Sequence, residues 1–189
     1  LLFLFSYYEI RYLNVFLVFA LFVSSLFFIV RQIDYKACLS FFMAMMCIKL
    51  FLVPMCLQFS NLIIIMFISL FVLNHYILKN NLSIGNSYHV LLYFVFCVGS
   101  LTAFFDLLTT PILPIGMILL YAVLVNYKKY GSVLSFIRIF KALFTWAIGY
   151  GFTWISKWFI ATLICPKNYI LDGISNFIYR SSSNFKGSE

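Results

Sequence analysis

The stretch YLNVFLVFALFVSSLFFIV, residues 12–30, decides the fold class of this chain. It carries no charged residue, and its polar side chains are one asparagine and two serines in addition to the tyrosine at its start. At about 1.5 Å per residue, a helix of this length covers about 28 Å, which is close to the thickness of a hydrocarbon core. The stretch therefore predicts a helix that crosses a lipid bilayer.

The composition of the whole chain agrees with that prediction. Of its 189 residues, 65% are hydrophobic, 21% are aromatic and only 10% are charged, whereas soluble domains are about half apolar and a quarter charged. A water-soluble domain of this size needs a larger polar surface, and a protein surrounded by lipid does not. The composition excludes an ordinary soluble domain.

Five further apolar runs follow the first, separated by short polar gaps. The second contains Lys49 and has Pro54 near its end, and Pro111 and Pro114 interrupt the pattern where the fifth begins. We predict an all-α fold, a polytopic transmembrane helix bundle that forms a single domain over 1–189. Its expected spans, about six, are 12–30, 37–55, 62–78, 88–105, 112–127 and 145–164.

The segment 128–143 has a different pattern. Val133, Ile137 and Phe140 fall on one helical face, and lysine and arginine side chains supply a basic complement. This arrangement is typical of an amphipathic helix that lies among lipid headgroups and is attracted by anionic lipid. We therefore expect an interfacial helix here, with membrane lipid as a partner.

The basic residues are unevenly distributed between the two sides that these spans define. Seven fall on one side and only Arg11 and Lys167 fall in the short loops of the other. Lysine and arginine concentrate in cytoplasmic loops, so we predict that the basic loops 31–36, 79–87 and 128–141 are cytoplasmic. The net charge of +8 then reflects topology, and nucleic acid is not an expected partner.

Charges inside spans mark the candidate site, since each costs roughly 2.5 to 3.5 kcal/mol at a helix centre. Lys49, Asp106 and Lys157 fall at the same predicted level, the outer third of the membrane. If their helices are neighbours, the lysines would bind the phosphate of a lipid carrier, and Asp106 would act as the catalytic group that orients or deprotonates an acceptor hydroxyl. The alternatives are that the lysines extend to the interface and that Asp106 caps a turn.

Two further features have a functional and a structural interpretation. Trp154 and Trp158 are candidates for stacking on a sugar, although tryptophan near an interface is also an ordinary anchor. Gly149-Tyr150-Gly151 resembles a potassium-filter tripeptide, but its context is wrong for a filter. Small residues that permit close helix packing are the preferred explanation for these glycines.

The cysteines do not indicate a metal or redox site. No pair of them has Cys-x-x-Cys spacing, and we predict neither a metal nor another cofactor.

Several strings carry a resemblance to a known group of proteins. They are Leu57-Gln58-Phe59-Ser60, Phe104-Phe105-Asp106-Leu107-Leu108-Thr109-Thr110-Pro111 with Gly116, and Gly149-Tyr150-Gly151 followed by Trp154-Ile155-Ser156-Lys157-Trp158. Together they resemble a group of multi-pass membrane proteins of Gram-positive bacteria that are similar to glycosyltransferases using lipid-linked sugars. The resemblance implies a bacterial plasma membrane protein. It also implies that the chain is an internal piece, with a larger extracytoplasmic region before it that bears the usual catalytic carboxylate.

Three functions remain open at this point. The first is part of a transferase that uses a polyprenyl-phosphate-linked sugar in cell-surface polysaccharide assembly, the second is a transporter or flippase, and the third is a non-catalytic membrane scaffold. Discontinuous helices around Pro54 and Pro111 would favour transport. Straight helices below an outer cavity would favour the transferase.

Overall fold

The computed structural model describes residues 7–50, 52–80, 88–105, 111–131, 133–164, 171 and 173–175. Over these residues the chain forms helices and no strand, so the all-α prediction is confirmed. The six α-helices are α1 (Tyr7–Gln32), α2 (Tyr35–Cys47), α3 (Leu57–Asn80), α4 (Tyr88–Phe105), α5 (Ile112–Tyr130) and α6 (Phe136–Ile164), with a 3₁₀ helix at Val53–Met55.

Three of these helices are long and apolar enough to cross a bilayer. They are α1 over Tyr8–Gln32, α4 over Tyr88–Phe105 and α5 over Ile112–Lys129. Shorter apolar helices are α2 and the part Ser60–Tyr76 of α3. The length of α6, 29 residues, is ample, but its lysines, arginine and tryptophans make it less apolar. The count of six spans stays a prediction.

Ring contacts and grooves reveal the directions of the helices. Phe22 of α1 packs on Phe67 of α3 with ring centres 6.3 Å apart, and the later Phe28 packs on the later Phe71 at 5.1 Å. Helices α1 and α3 therefore run the same way. A groove lined by Asn61, near the start of α3, and by Phe105, at the end of α4, shows that these two helices run in opposite directions.

The second helix ends earlier than predicted, so 37–55 is not one helix. A Schellman cap closes α2: the backbone N–H of Lys49 donates to Met46 (2.9 Å) and that of Leu50 to Met45 (3.1 Å). Lys49 has the left-handed φ of 57° that glycine usually supplies. Leu50 and Met45 are both buried, and this burial offsets the strain. The apolar sequence does not indicate this helix end, because no glycine occupies the left-handed position.

After this cap a short 3₁₀ helix packs against the bundle. The 3₁₀ helix at Val53–Met55 contacts α1 and α3, Pro54 is buried, and the side-chain amide of Asn14 donates to the Pro54 carbonyl at 2.9 Å. Helix α2 alone, with 13 residues, is about 20 Å long, which is less than a hydrocarbon core. The 3₁₀ helix that follows lies against α1 and α3.

The predicted interfacial helix over 128–143 is divided between two elements. Lys128 and Lys129 form the last turn of α5, which Gly131 ends in a left-handed conformation (φ 63°) with its N–H on the Tyr127 carbonyl. Helix α6 then begins at Phe136 and continues without a break to Ile164. The amphipathic pattern belongs to the first turns of a long helix. Gly131 decides this because it permits the left-handed turn at almost no steric cost.

Candidate functional site

The two candidate tryptophans and Lys157 lie on α6. In the described part of the chain, the contact between α4 and α6 is more extensive than that between any other two helices. The hydroxyl of Tyr88, at the start of α4, donates to the carbonyl of Arg138 near the start of α6 (2.6 Å). Towards the other ends, Lys157 contacts Ala103. The two helices are therefore parallel, and α5 connects them in the sequence.

Two glycines allow this close packing. A Cβ at Gly99 would collide with the carbonyl of Trp146, and a Cβ at Gly149 would collide with the carbonyl of Phe96. The arrangement is reciprocal, and each glycine is followed four residues later by a small side chain, Ala103 or Thr153, as in the small-residue interfaces of membrane helices. The packing role expected of Gly149 is confirmed, whereas a Cβ at Gly151 would meet open space.

The side chain of Lys157 caps the end of α4. Its ammonium donates to the carbonyls of Ala103 (2.5 Å) and Phe104 (2.8 Å) and lies 5.2 Å from the ring centre of Phe104. The last carbonyls of a helix have no partner within the helix, and the partial negative charge there attracts a cation. Lys157 thus has a structural role between α4 and α6 that neither sequence interpretation anticipated.

Asp106, the predicted catalytic residue, lies outside the described residues, as do Thr109 and Thr110. The described part of α4 ends at Phe105, directly before Asp106 in the sequence. Lys157 holds the carbonyl of Phe104, so this cation is fixed close to the point where the chain continues to Asp106.

The predicted tryptophan pair is closely packed. The ring centres of Trp154 and Trp158 are 4.0 Å apart and the planes are inclined by 49°. Gly173, which is buried, approaches Trp158 so closely that a Cβ there would lie 2.7 Å from the indole. Part of the Trp158 ring is therefore covered by the chain itself, which reduces the surface available for stacking on a sugar.

Lys49 does not join this group. It is exposed at the capped end of α2, a helix that packs on α1. In the packing order α2, α1, α3, α4, α6, Lys49 and Lys157 are at opposite ends. The described part of the bundle does not bring the two lysines into one cavity, although Lys157, Trp154 and Trp158 do lie together.

A groove between α3 and α4 reaches the end of α4 that Lys157 caps. Its volume is about 270 Å³. The wall is mostly apolar, with two polar positions, and consists of Asn61, Ile64, Ile65, Ile68, Ser69, Leu101 and Phe105. Such a groove suits an extended hydrocarbon chain better than a polar solute.

The chain has no match in comparisons with protein families, with curated proteins or with solved structures. Within the described residues there is also no group of three or more histidine, cysteine, aspartate or glutamate side chains suited to a metal ion.

A buried polar contact in the centre of the bundle was not among the sequence predictions. The hydroxyl of Tyr121 on α5 donates to the side-chain oxygen of Asn74 on α3 at 2.8 Å, and the buried Ser25 of α1 lines the same small cavity. An asparagine within an apolar run was the available signal, because a buried amide needs a partner.

Proposed function

We propose that this chain is an integral membrane protein that crosses the bilayer six times, with the end of the bundle that carries the basic loops in the cytoplasm. The alternating helix directions support this proposal. Arg31 and Lys36 flank the turn between α1 and α2, and Lys128 and Arg138 flank the turn between α5 and α6. Because α1 runs parallel to α3 and opposite to α4, both turns lie at one end of the bundle.

Labelling in intact cells tests this topology. In a background whose native cysteines are replaced, we expect Lys36→Cys and Lys128→Cys to be protected from a membrane-impermeant maleimide. Ile112→Cys, at the other end of α5 and 69% exposed, is the matched position that should react. Reaction at only one of the two lysine positions would contradict the six-span topology.

We further propose that the chain is the membrane-embedded part of a transferase that accepts a sugar from a polyprenyl-phosphate carrier. The observation that carries this proposal is the apolar groove between α3 and α4, which reaches Phe105, the residue directly after the carbonyl that Lys157 holds. A carrier of this kind combines a long hydrocarbon tail with an anionic phosphate. The resemblance to transferases that use lipid-linked sugars supports the same substrate class.

The proposed chemistry assigns one role to each group. The isoprenoid tail lies along the groove and the phosphate faces the Lys157 end, where the positive charge favours the departing phosphate. An acceptor hydroxyl attacks the anomeric carbon, the bond from that carbon to the phosphate oxygen breaks, and the electron pair leaves with the phosphate. Asp106 accepts the proton of the attacking hydroxyl. Trp154 and Trp158 border the sugar.

Blocking the groove tests this assignment without removing Lys157. We expect Ile65→Trp to weaken binding of a polyprenyl phosphate to the detergent-solubilised protein at least tenfold, as measured by native mass spectrometry. Ile155→Trp makes the same change on the exposed face of α6 and should leave binding unchanged. Equal binding by the two variants would contradict the proposal, as would equal binding of the phosphate-free polyprenol.

A transporter or flippase is the second candidate, and two observations favour it. The end of α2 at Cys47, followed by the packed segment with Pro54, is the kind of interrupted helix that transporters use. The buried Tyr121–Asn74 pair adds polar groups to the centre of the bundle. Pro111, by contrast, stands at the start of α5 and does not interrupt a helix.

Two measurements distinguish the transferase from the transporter. Sugar transfer that is retained in Asp106→Asn would exclude the proposed catalytic role of Asp106. Labelling that changes at both membrane faces when the carrier is added would favour transport.

A further inference from the structure

A second groove lies between α4 and α6, at the end of the bundle away from the capped end of α4. Its volume is about 390 Å³, within the range of roughly 300–1,000 Å³ found for ligand sites. Four of its lining residues come from the first turns of α4, and one comes from α6. The lining residues are His89, Leu92, Tyr93, Phe96 and Thr145.

Cations stand at the mouth of this groove. Thr145 donates its hydroxyl to the carbonyl of Lys141, one turn earlier in α6 (2.8 Å), so the two side chains share a helical face. Arg138 lies a further turn towards the start of α6, and its guanidinium carbon is 5.8 Å from the ring centre of Tyr88. Both basic side chains are exposed, and His89 stands at the same level on α4.

The sequence offers these cations no acidic neighbour along their own stretch of the chain. Between Asp106 and Asp172 there is no aspartate or glutamate, while that interval contains six lysines and arginines. The described acidic residues, Glu9 and Asp34, belong to α1 and to the start of α2. The positive charge at the mouth therefore attracts an anion from outside the chain.

We propose that the α4–α6 groove binds one anionic phospholipid of the surrounding leaflet. The phosphate lies between Arg138 and Lys141, with His89 opposite, and an acyl chain follows Leu92, Tyr93 and Phe96 into the groove. The apolar wall below a cationic mouth matches the two ends of such a lipid. This site rests on the proposed membrane insertion and is independent of the transferase proposal, because it lies at the opposite end of α4 from Lys157.

Lipid retention during purification tests the site. With equal amounts of phosphatidylglycerol and phosphatidylcholine in mixed micelles, native mass spectrometry is expected to show at least tenfold more bound phosphatidylglycerol on the full chain. The double variant Arg138→Gln/Lys141→Gln should lower this preference at least fivefold. Thr145→Phe, which fills the groove and keeps the charges, should lower the amount of bound lipid to a similar extent.

The matched control removes two other cations at the same end. Lys128→Gln/Lys129→Gln changes the net charge equally but acts on the last turn of α5, and it should keep most of the preference. If the two double variants lose the preference for phosphatidylglycerol equally, the lipid is attracted by the basic surface in general and the proposed site is wrong. Equal binding of the two lipids by the unmodified chain would overturn the proposal, and polyprenyl phosphate binding in the same variants reports separately on the carrier groove.

Discussion

Replacing Gly149 by alanine is expected to destabilise the protein by about 2 kcal/mol, and replacing it by leucine is expected to leave little folded protein. The added Cβ would collide with the Phe96 carbonyl, and a helix backbone cannot move aside as a flexible side chain can. Helices α4 and α6 would have to separate. They would then lose the hydrogen bond from Ser100 to the Gly149 carbonyl and the reciprocal contact at Gly99.

The control for this experiment lies two residues away. Gly151→Ala adds the same methyl group where nothing lies within 4 Å, and higher helix propensity should make it neutral or stabilising by up to about 1 kcal/mol. Thermal unfolding of the two alanine variants in the same detergent measures the difference. Equal stabilities would show that α4 and α6 are not packed through these glycines.

Lys157→Met is expected to cost about 2 kcal/mol of stability. Methionine has a similar length but donates no hydrogen bond, so the carbonyls of Ala103 and Phe104 lose the donor that caps α4. Hydrogen bonds to charged groups contribute about 1.5–3 kcal/mol, and of the two here the bond to Ala103 is part-buried and the bond to Phe104 is exposed. Lys157→Arg should recover most of the loss because it retains a cation with several donors.

Lys49→Met is the matched substitution for that measurement. Lys49 is exposed beyond the end of α2, so the same change there should alter stability by no more than about 0.5 kcal/mol. Thermal unfolding of the three variants and the unmodified chain compares them directly. If Lys157→Met and Lys49→Met behave alike, the capping role of Lys157 is wrong.

The helix boundaries show which parts of the fold follow from local sequence. The predicted run 88–105 corresponds to α4, and the predicted run 112–127 begins where α5 begins because Pro111 has a clear local meaning. The end of α5 at Gly131 was missed, since the prediction continued 128–143 as one helix. The end of α2 was missed because Lys49 takes a left-handed conformation that only the burial of Leu50 and Met45 stabilises.

The candidate site was predicted less well than the fold. Hydropathy singled out Lys49 and Lys157 for the same reason, since each is a charge in an apolar run. Their surroundings differ: Lys49 is exposed past a helix end, whereas Lys157 reaches across to another helix. The sequence also held the signal for Gly149, but not for its partner Gly99, which only the parallel packing of α4 on α6 identifies.

The sequence by itself determined that the chain is helical and that several helices suit a bilayer, because these properties depend on the length and polarity of local segments. The tertiary structure alone decided that α2 stops short and that Lys157 caps α4. Each of these outcomes depends on which helices are neighbours. Contacts between residues about 50 positions apart leave no mark in the local pattern of hydrophobic and polar residues.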